Sequence, residues 1–201
     1  MAKYLTIAGE GEGVYREKMS RFLAFALPAS SVDEARDIIA MYANEYHDAR
    51  HVCWAYMVGA DRLTYLSSDN GEPSGTAGKP ILGQINSFGL TNVVVIVVRY
   101  FGGIKLGTSG LISAYREAAR MALENAGTVE GREMTVMGVT FPYLAMNDVM
   151  KILKGLSSSD NVKIMGQEFD NTCTIALSLP LDIVPTVAAR LDAVSGTSLN
   201  Y

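Results

Sequence analysis

The sequence has few cysteines and histidines and no apolar run long enough to cross a bilayer. Cys53 and Cys173 lie far apart and form no CxxC pair, which excludes a zinc knuckle and a disulfide framework. The longest apolar run, VVVIVV at 93–98, falls well short of the roughly 20 residues that a membrane-spanning helix needs. The opening MAKYLTIAGEGEG lacks the apolar core of a signal peptide. We therefore expect a reduced cytoplasmic protein that does not associate with membranes.

An excess of positive charge is also lacking. The 201 residues carry a formal net charge of −4, which argues against a protein that coats nucleic acid non-specifically, because that affinity comes from many phosphate contacts. A local basic groove remains compatible with this balance. Apolar residues make up 49% of the chain, which is typical of a folded globular protein.

Periodicity and caps predict the elements of the first part of the chain. Ser31 and Glu34 have the spacing of a capping box, and Gly127 fits a helix end. The predicted elements are a strand within 15–27, a helix from Ser31 to about His47, strands over 51–59 and 63–68, a helix over 81–88 starting at Pro80, a buried strand over 92–99, and a helix from a Thr108 or Ser109 cap to Asn125.

After residue 133 the pattern starts afresh. The predicted order is a strand over 134–141, a helix over 149–156 capped by Asn147, a hairpin of 162–168 and 172–179, a helix over 182–194, and room for a last short strand. This βαββα order predicts a compact two-layer unit of ferredoxin-like type. We expect an α+β protein with two domains, 1–130 and 131–201.

Two glycine-rich loops each precede a helix. The first, SSDNGEPSGTAGKPILG at 67–83, ends in Gly-Lys, but Pro73 and Pro80 occupy positions where a Walker A loop needs glycine and a hydroxyl residue. Backbone N–H groups at Gly75 and Gly78 can still converge on an anion beside a helix N-terminus. The second loop, RYFGGIKLGTSGLISAY at 99–115, repeats this arrangement.

Both loops together define the candidate anion site. Glycines that only permit tight packing of a helix on a sheet are the alternative explanation. The candidate residues are Asp69, Glu72, Ser74, Gly75, Thr76, Gly78, Lys79, Arg99, Tyr100, Gly102, Gly103, Lys105, Gly107, Thr108 and Ser109.

Carboxylates and histidines near the loops leave further alternatives. Asp69 and Glu72 can cap loop N–H groups or hold a hard cation such as magnesium. His51 and Cys53 share a strand face and predict a buried polar network near the site, since their spacing with His47 does not match a zinc site. His51 can also act as a general acid or base, but no nucleophile stands beside it. We expect no metal and no cofactor.

Two long motifs resemble those of the YigZ/IMPACT family. They are SDNGEPSGTAGKPIL at 68–82 and VVRYFGGIKLGTSGL at 97–111, supported by HVCWAY at 51–56 and SRF at 20–22. The likeness runs from about residue 13 to the end. Asn70 stands where the family usually has a second acidic residue, which weakens the cation alternative, and Ser109 replaces a common glycine.

This resemblance implies an N-terminal ribosomal protein S5 domain-2-like domain and a C-terminal ferredoxin-like domain similar to the last domain of elongation factor G. It also implies a link to translation. The eukaryotic members carry an additional N-terminal module and restrain the kinase pathway that responds to amino-acid starvation, and that role is not carried over to this chain.

Three functions follow as hypotheses. The first is a non-enzymatic module that binds RNA, the ribosome or a translation factor through the two loops. In this hypothesis Tyr100 or Phe101 can stack on an unpaired base, and core packing is the alternative role for these two aromatic residues. The second is an enzyme acting on a small phosphorylated or carboxylated substrate, with a pocket lined by Asp69, Glu72, His51 and Lys79. The third is a protein-interaction adaptor whose loops are only structural.

Overall fold

The computed structural model describes residues 3–156 and 161–201. They form two compact units, Tyr4–Gly131 and Arg132–Tyr201, with Lys3 grouped with the second. Each unit combines helices with a sheet, so the protein has a two-unit α+β fold. Within these residues, no helix is both long enough and apolar enough to cross a membrane.

The first unit is built on a five-stranded antiparallel sheet. Its strands are β2 (Gly11–Glu17), β3 (Ser20–Pro28), β4 (His51–Val58), β5 (Thr64–Ser68) and β6 (Val93–Tyr100), in the order β2-β3-β6-β4-β5. The central strand β6 is buried from Val93 to Arg99, as expected for an apolar run covered on both faces. This confirms the sequence prediction of a buried strand.

A hairpin occupies the segment where the sequence predicted one strand. Strands β2 and β3 turn at Lys18 and Met19, both of which have positive φ angles. Glycine and asparagine adopt this conformation most readily, and they are the residues by which a sequence pattern reveals a hairpin. This turn contains neither of them. The single-strand prediction was wrong for this reason.

Three helices cover the sheet of the first unit. They are α1 (Val32–Glu45), α2 (Gly78–Ser87) and α3 (Gly107–Ala126). Helices α2 and α3 contribute to the core on one face, and α1 contributes to the core on the other. The Ser31 hydroxyl accepts a hydrogen bond from Glu34 N, which confirms the predicted cap of α1. A two-stranded sheet of β1 (Lys3–Ile7) and β7 (Thr128–Arg132) completes the elements.

Two helix starts differ from the sequence prediction. Helix α2 begins at Gly78, so Pro80 is its third residue rather than its first. Helix α3 begins at Gly107, and Thr108 and Ser109 lie inside its first turn instead of capping it. The N-cap of α3 is Leu106, and no side chain of the described residues caps this helix with a hydrogen bond. The predicted end at Gly127 is confirmed, with φ of 68°.

The second unit has the order βαββαβ. Its elements are β8 (Met134–Pro142), α4 (Met146–Leu156), β9 (Lys163–Glu168), β10 (Thr172–Pro180), α5 (Val184–Asp192) and β11 (Ser198–Asn200). The antiparallel strands run in the order β11-β8-β10-β9, with one apolar core that includes residues of both helices. Asn147 lies within α4, because a short 3-10 turn, Tyr143–Ala145, leads into that helix. The predicted cap at Asn147 was therefore wrong.

Candidate functional site

A cleft of about 450 Å³ lies in the first unit between the two glycine-rich loops. It is lined by Arg50, His51, Gly71, Glu72, Pro73, Arg99, Phe101, Lys105, Leu106, Gly107, Thr108 and Leu111. The structure therefore brings the second loop and the early part of the first loop to one place. Among the described residues, Ser74, Thr76 and Lys79 do not line this cleft, and Lys79 is exposed elsewhere on the surface.

The first loop folds around the carboxylate of Asp69. Asp69 Oδ2 accepts from Gly75 N at 2.8 Å, and Oδ1 accepts from Ala77 N at 3.0 Å and Gly78 N at 2.8 Å. Burial raises the pKa of Asp69, but the three backbone donors outweigh burial and hold this pKa below its ordinary value. Capping, one of the two roles considered for Asp69, is the role that the structure shows.

Gly75 and Gly78 were expected to direct their N–H groups to an external anion, and the structure shows a different role. The N–H groups of Gly75 and Gly78 donate to Asp69 within the chain instead of facing an external anion. A Cβ at Gly78 would lie 2.8 Å from Ser68 N, so the loop also packs closely against the end of β5. Tight packing, the alternative considered for the glycines, thus accounts for Gly78.

Glu72 is the buried carboxylate of the cleft. It is 8% exposed, and its Oε1 lies 2.6 Å from Arg99 Nη1 and accepts the Tyr115 hydroxyl at 2.8 Å. Arg99 Nη2 also reaches Ser20 Oγ at 3.4 Å. These contacts pair the negative charge of Glu72 with the guanidinium, which satisfies the need of a buried ion for a partner.

The network continues through Cys53 and Tyr115. Cys53 Sγ lies 2.9 Å from Asp69 O and 3.3 Å from Tyr115 Oη. Burial raises the pKa of Cys53 to about 12 and also raises the pKa of Tyr115, so both groups stay protonated at neutral pH. Sequence reasoning missed Tyr115, because its helical spacing is that of an ordinary core residue of α3.

His51 lines the cleft, with one ring nitrogen near a backbone carbonyl and the other near Glu72. Its Nδ1 lies 2.9 Å from the carbonyl oxygen of Asn70. A carbonyl only accepts, so Nδ1 carries the proton in the neutral ring and Nε2 holds the lone pair. Nε2 lies 3.9 Å from Glu72 Oε2. His51 and Cys53 thus both connect to the first loop from β4.

The second loop is fixed against the turn between β2 and β3. Gly102 N donates to Ser20 Oγ at 3.2 Å, and a Cβ on Gly102 would lie 2.1 Å from the carbonyl carbon of Met19. Gly103 and Gly107 have φ angles of 86° and 75° and bring the chain to the start of α3. Only glycine fits the close approach at position 102.

The cleft is net positive. Its lining contains Arg50, Arg99 and Lys105 against the single carboxylate of Glu72, a net charge of +2 with His51 neutral. Arg50 and Lys105 make no ion pair with any residue that the structure describes. The start of α3 adds the positive end of a helix dipole, with Thr108 and Ser109 exposed in its first turn.

Tyr100 lies outside the cleft. Its hydroxyl donates to Asp48 Oδ1 at 2.9 Å, and its ring lines a neighbouring groove together with Phe101. Among the described residues, no group of three or more His, Cys, Asp and Glu side chains is placed to hold a metal ion. The cleft itself presents basic side chains and a helix start, and both kinds of group interact favourably with negative charge.

The fold and the cleft together define a two-unit α+β protein with a basic cleft over a buried Arg–Glu–Tyr network. The chain belongs to the YigZ/IMPACT family, as the sequence motifs predicted. The Impact N-terminal domain matches residues 18–123.

Relatives extend this likeness beyond the matched domain. The IMPACT family member YigZ of Escherichia coli is 32% identical and the match covers 99% of this chain and 97% of YigZ. The IMPACT family member YvyE of Bacillus subtilis is 34% identical over 80% of this chain and 77% of its own. A crystal structure described as a hypothetical protein superposes with a TM-score of 0.76 at 31% identity, covering 99% of this chain and 97% of that one.

Proposed function

We propose that this protein is a non-enzymatic, translation-associated module of the cytoplasm that binds phosphate groups of RNA in the cleft of its first unit. In this proposal the first unit is an S5 domain-2-like domain, 1–130, and the second, 131–201, is a ferredoxin-like domain similar to the last domain of elongation factor G. Ribosome or translation-factor association would follow from this RNA contact.

The observation that carries the proposal is the neutralised carboxylate. A bare Glu72 in the cleft would repel phosphate, but its charge is paired with Arg99 at 2.6 Å. Arg50, Lys105 and the start of α3 are then left to attract an anion. The positive charge is local, which reconciles RNA binding with the net charge of −4 for the whole chain.

Charge reversal in the cleft tests this proposal. RNA binding by the Arg50→Glu/Lys105→Glu variant is titrated against salt and compared with wild type. The matched control is Arg36→Glu/Lys163→Glu, which changes the net charge equally at exposed positions outside the cleft. Each lost phosphate contact lowers the slope of log affinity against log salt by about 0.7 for single strands.

Comparing the two variants distinguishes binding in the cleft from a general effect of net charge. We expect the cleft variant to lose affinity and salt slope while the control stays within a few-fold of wild type. Equal losses in both variants would assign binding to non-specific charge. Wild-type protein that does not bind RNA or ribosomes even at low salt would overturn the proposal.

His51 favours a second candidate function. Its Nδ1 is fixed by the Asn70 carbonyl, which leaves Nε2 as a lone pair beside the cleft, the arrangement of a general base. An enzyme acting on a small phosphorylated or carboxylated substrate would use this nitrogen. Saturable binding of small anions that is lost on charge reversal, without any RNA affinity, would favour it. A retained protein partner with neither activity would favour an adaptor.

A further inference from the structure

Phe101 lines two cavities at once. One is the cleft described above, and the other is a groove of about 380 Å³ lined by Arg16, Met19, Ser20, Arg21, Tyr100 and Phe101. A polymer that occupied both cavities would therefore pass over this ring. Phe101 follows directly after β6, at the point where the second loop begins.

The Phe101 ring is exposed but held in place. It is 42% exposed, yet the guanidinium of Arg99 lies 5.4 Å from its ring centroid. The next residue, Gly102, is fixed by its hydrogen bond to Ser20 and its close approach to Met19. A pre-positioned aromatic ring loses little conformational entropy when a ligand stacks on it.

Arg99 supports this ring from the protein interior. Its guanidinium carbon lies 5.5 Å from the ring centroid of Phe22 and 5.4 Å from that of Phe101. Arg99 is 5% exposed, and its Nε has no hydrogen-bond partner among the described residues. The buried guanidinium therefore contacts the Phe101 ring from the protein interior. The exposed part of the ring is available to a partner.

The neighbouring groove is positive as well. Arg16 and Arg21 are exposed, and neither forms an ion pair with any residue that the structure describes. The Arg21 guanidinium lies 5.0 Å above the ring of Tyr100. No carboxylate is among the six residues that line this groove. Basic side chains therefore stand on both sides of Phe101.

We infer that the first unit binds single-stranded RNA, with one unpaired base stacked on Phe101 and the flanking phosphates in the cleft and in the groove. Positive grooves combined with a stacking ring are how proteins bind single strands, and a duplex hides its base faces from such a ring. This inference rests on the proposed function, because the RNA strand that stacks on Phe101 is the one whose phosphate binds in the cleft.

The test uses the full chain and fluorescence anisotropy with a short labelled oligouridylate. Phe101→Leu is expected to weaken binding about 5- to 150-fold, the range for losing one base–aromatic stack, without changing the salt slope. Phe101→Tyr keeps the ring and is expected to restore binding. Phe169→Leu, at an exposed ring of the second unit, is the matched control and should bind like wild type.

Arg16→Glu/Arg21→Glu tests the groove independently of the ring. We expect it to lower both the affinity and the salt slope, because it removes phosphate contacts. The same sequence as a duplex should bind more weakly than the single strand. A DNA strand of the same sequence shows whether the 2′-hydroxyl contributes, since stacking and phosphate contacts alone would bind both equally.

Two failures remain distinguishable. If binding depends on Arg50 and Lys105 but Phe101→Leu has no effect, or if the duplex binds equally well, the stacking inference is wrong while the proposed function stands. If wild type binds neither form of RNA but retains a protein partner, both are wrong.

Discussion

Arg99 Nη1 lies 2.6 Å from Glu72 Oε1, and both side chains are buried at the wall of the cleft. The pair has two effects. It compensates two buried charges, and it removes the repulsion that a free carboxylate would exert on a bound phosphate. Stability and binding are therefore expected to respond to Glu72 in opposite directions.

Glu72→Gln is expected to lower stability and raise affinity for phosphate. The neutral amide leaves the Arg99 charge uncompensated, and breaking a buried ion pair costs about 3–5 kcal/mol of unfolding free energy. The cleft meanwhile gains one positive charge. Urea unfolding measures the first effect, and anisotropy at a temperature where the variant is folded measures the second.

The double variant Glu72→Met/Arg99→Met is the control for this prediction. It removes both charges with apolar groups, so it should recover part of the lost stability without the gain in affinity. A Glu72→Gln variant as stable as wild type would show that Arg99 has another compensating partner.

Gly102→Ala is expected to destabilise the fold by about 1–3 kcal/mol, because overpacking forces neighbouring backbone to move. Its Cβ would lie 2.1 Å from Met19 C and 2.5 Å from Ser20 N, which are backbone atoms. The variant should also displace Phe101 and weaken RNA binding beyond the loss of stability. Thermal unfolding and anisotropy measure the two effects.

Gly83→Ala is the matched control for this substitution. Apart from its chain neighbours and the backbone of its own helix, no heavy atom of the residues that the structure describes lies within 4 Å of the added Cβ, and the residue is inside α2. Alanine should stabilise this helix by about 0.5–1 kcal/mol. A Gly102→Ala variant with the stability of Gly83→Ala would contradict the close approach to Met19.

Local signals in the sequence were sufficient for much of the fold. The apolar run of β6 and the Ser31 cap of α1 were predicted because each depends on residues adjacent in sequence. The turn at Lys18 and Met19 was not, since its positive φ angles occur in residues that rarely adopt them. Family motifs also pointed to both glycine-rich loops.

The inside of the site depends on long-range contacts that no local pattern reveals. The sequence could not show that Asp69 accepts the N–H groups of Gly75 and Gly78, since that requires the path of the loop. It also could not distinguish Tyr115 from a core residue, because its partner Glu72 is 43 positions away. Lys79 was expected at the site, but the part of the first loop that lines the cleft is residues 71–73.

Cys53 is expected to resist alkylation in the folded protein. Burial raises its thiol pKa to about 12, so the reactive thiolate is scarce at pH 8, and Cys173 is buried too. Iodoacetamide labelling followed by mass spectrometry should find neither thiol modified in the native state and both modified in urea. Rapid native labelling of Cys53 would show that the network around Tyr115 opens.

Asp69→Asn is expected to destabilise the protein in a pH-dependent way. The folded state lowers the Asp69 pKa below its ordinary value of 3.8, so the carboxylate stabilises the fold fully above that pH and loses its effect as pH falls through the lowered value. Hydrogen bonds to a charged group contribute about 1.5–3 kcal/mol, which sets the loss expected near neutral pH. Urea unfolding from neutral to acid pH should show the difference from wild type shrinking at the acid end. The control is Asp37→Asn, at an exposed position of α1 without a hydrogen bond to any described residue. It should show neither the loss of stability nor its dependence on pH. A loss of stability in Asp69→Asn that does not change with pH would mean that the charge of Asp69 is not what closes the loop.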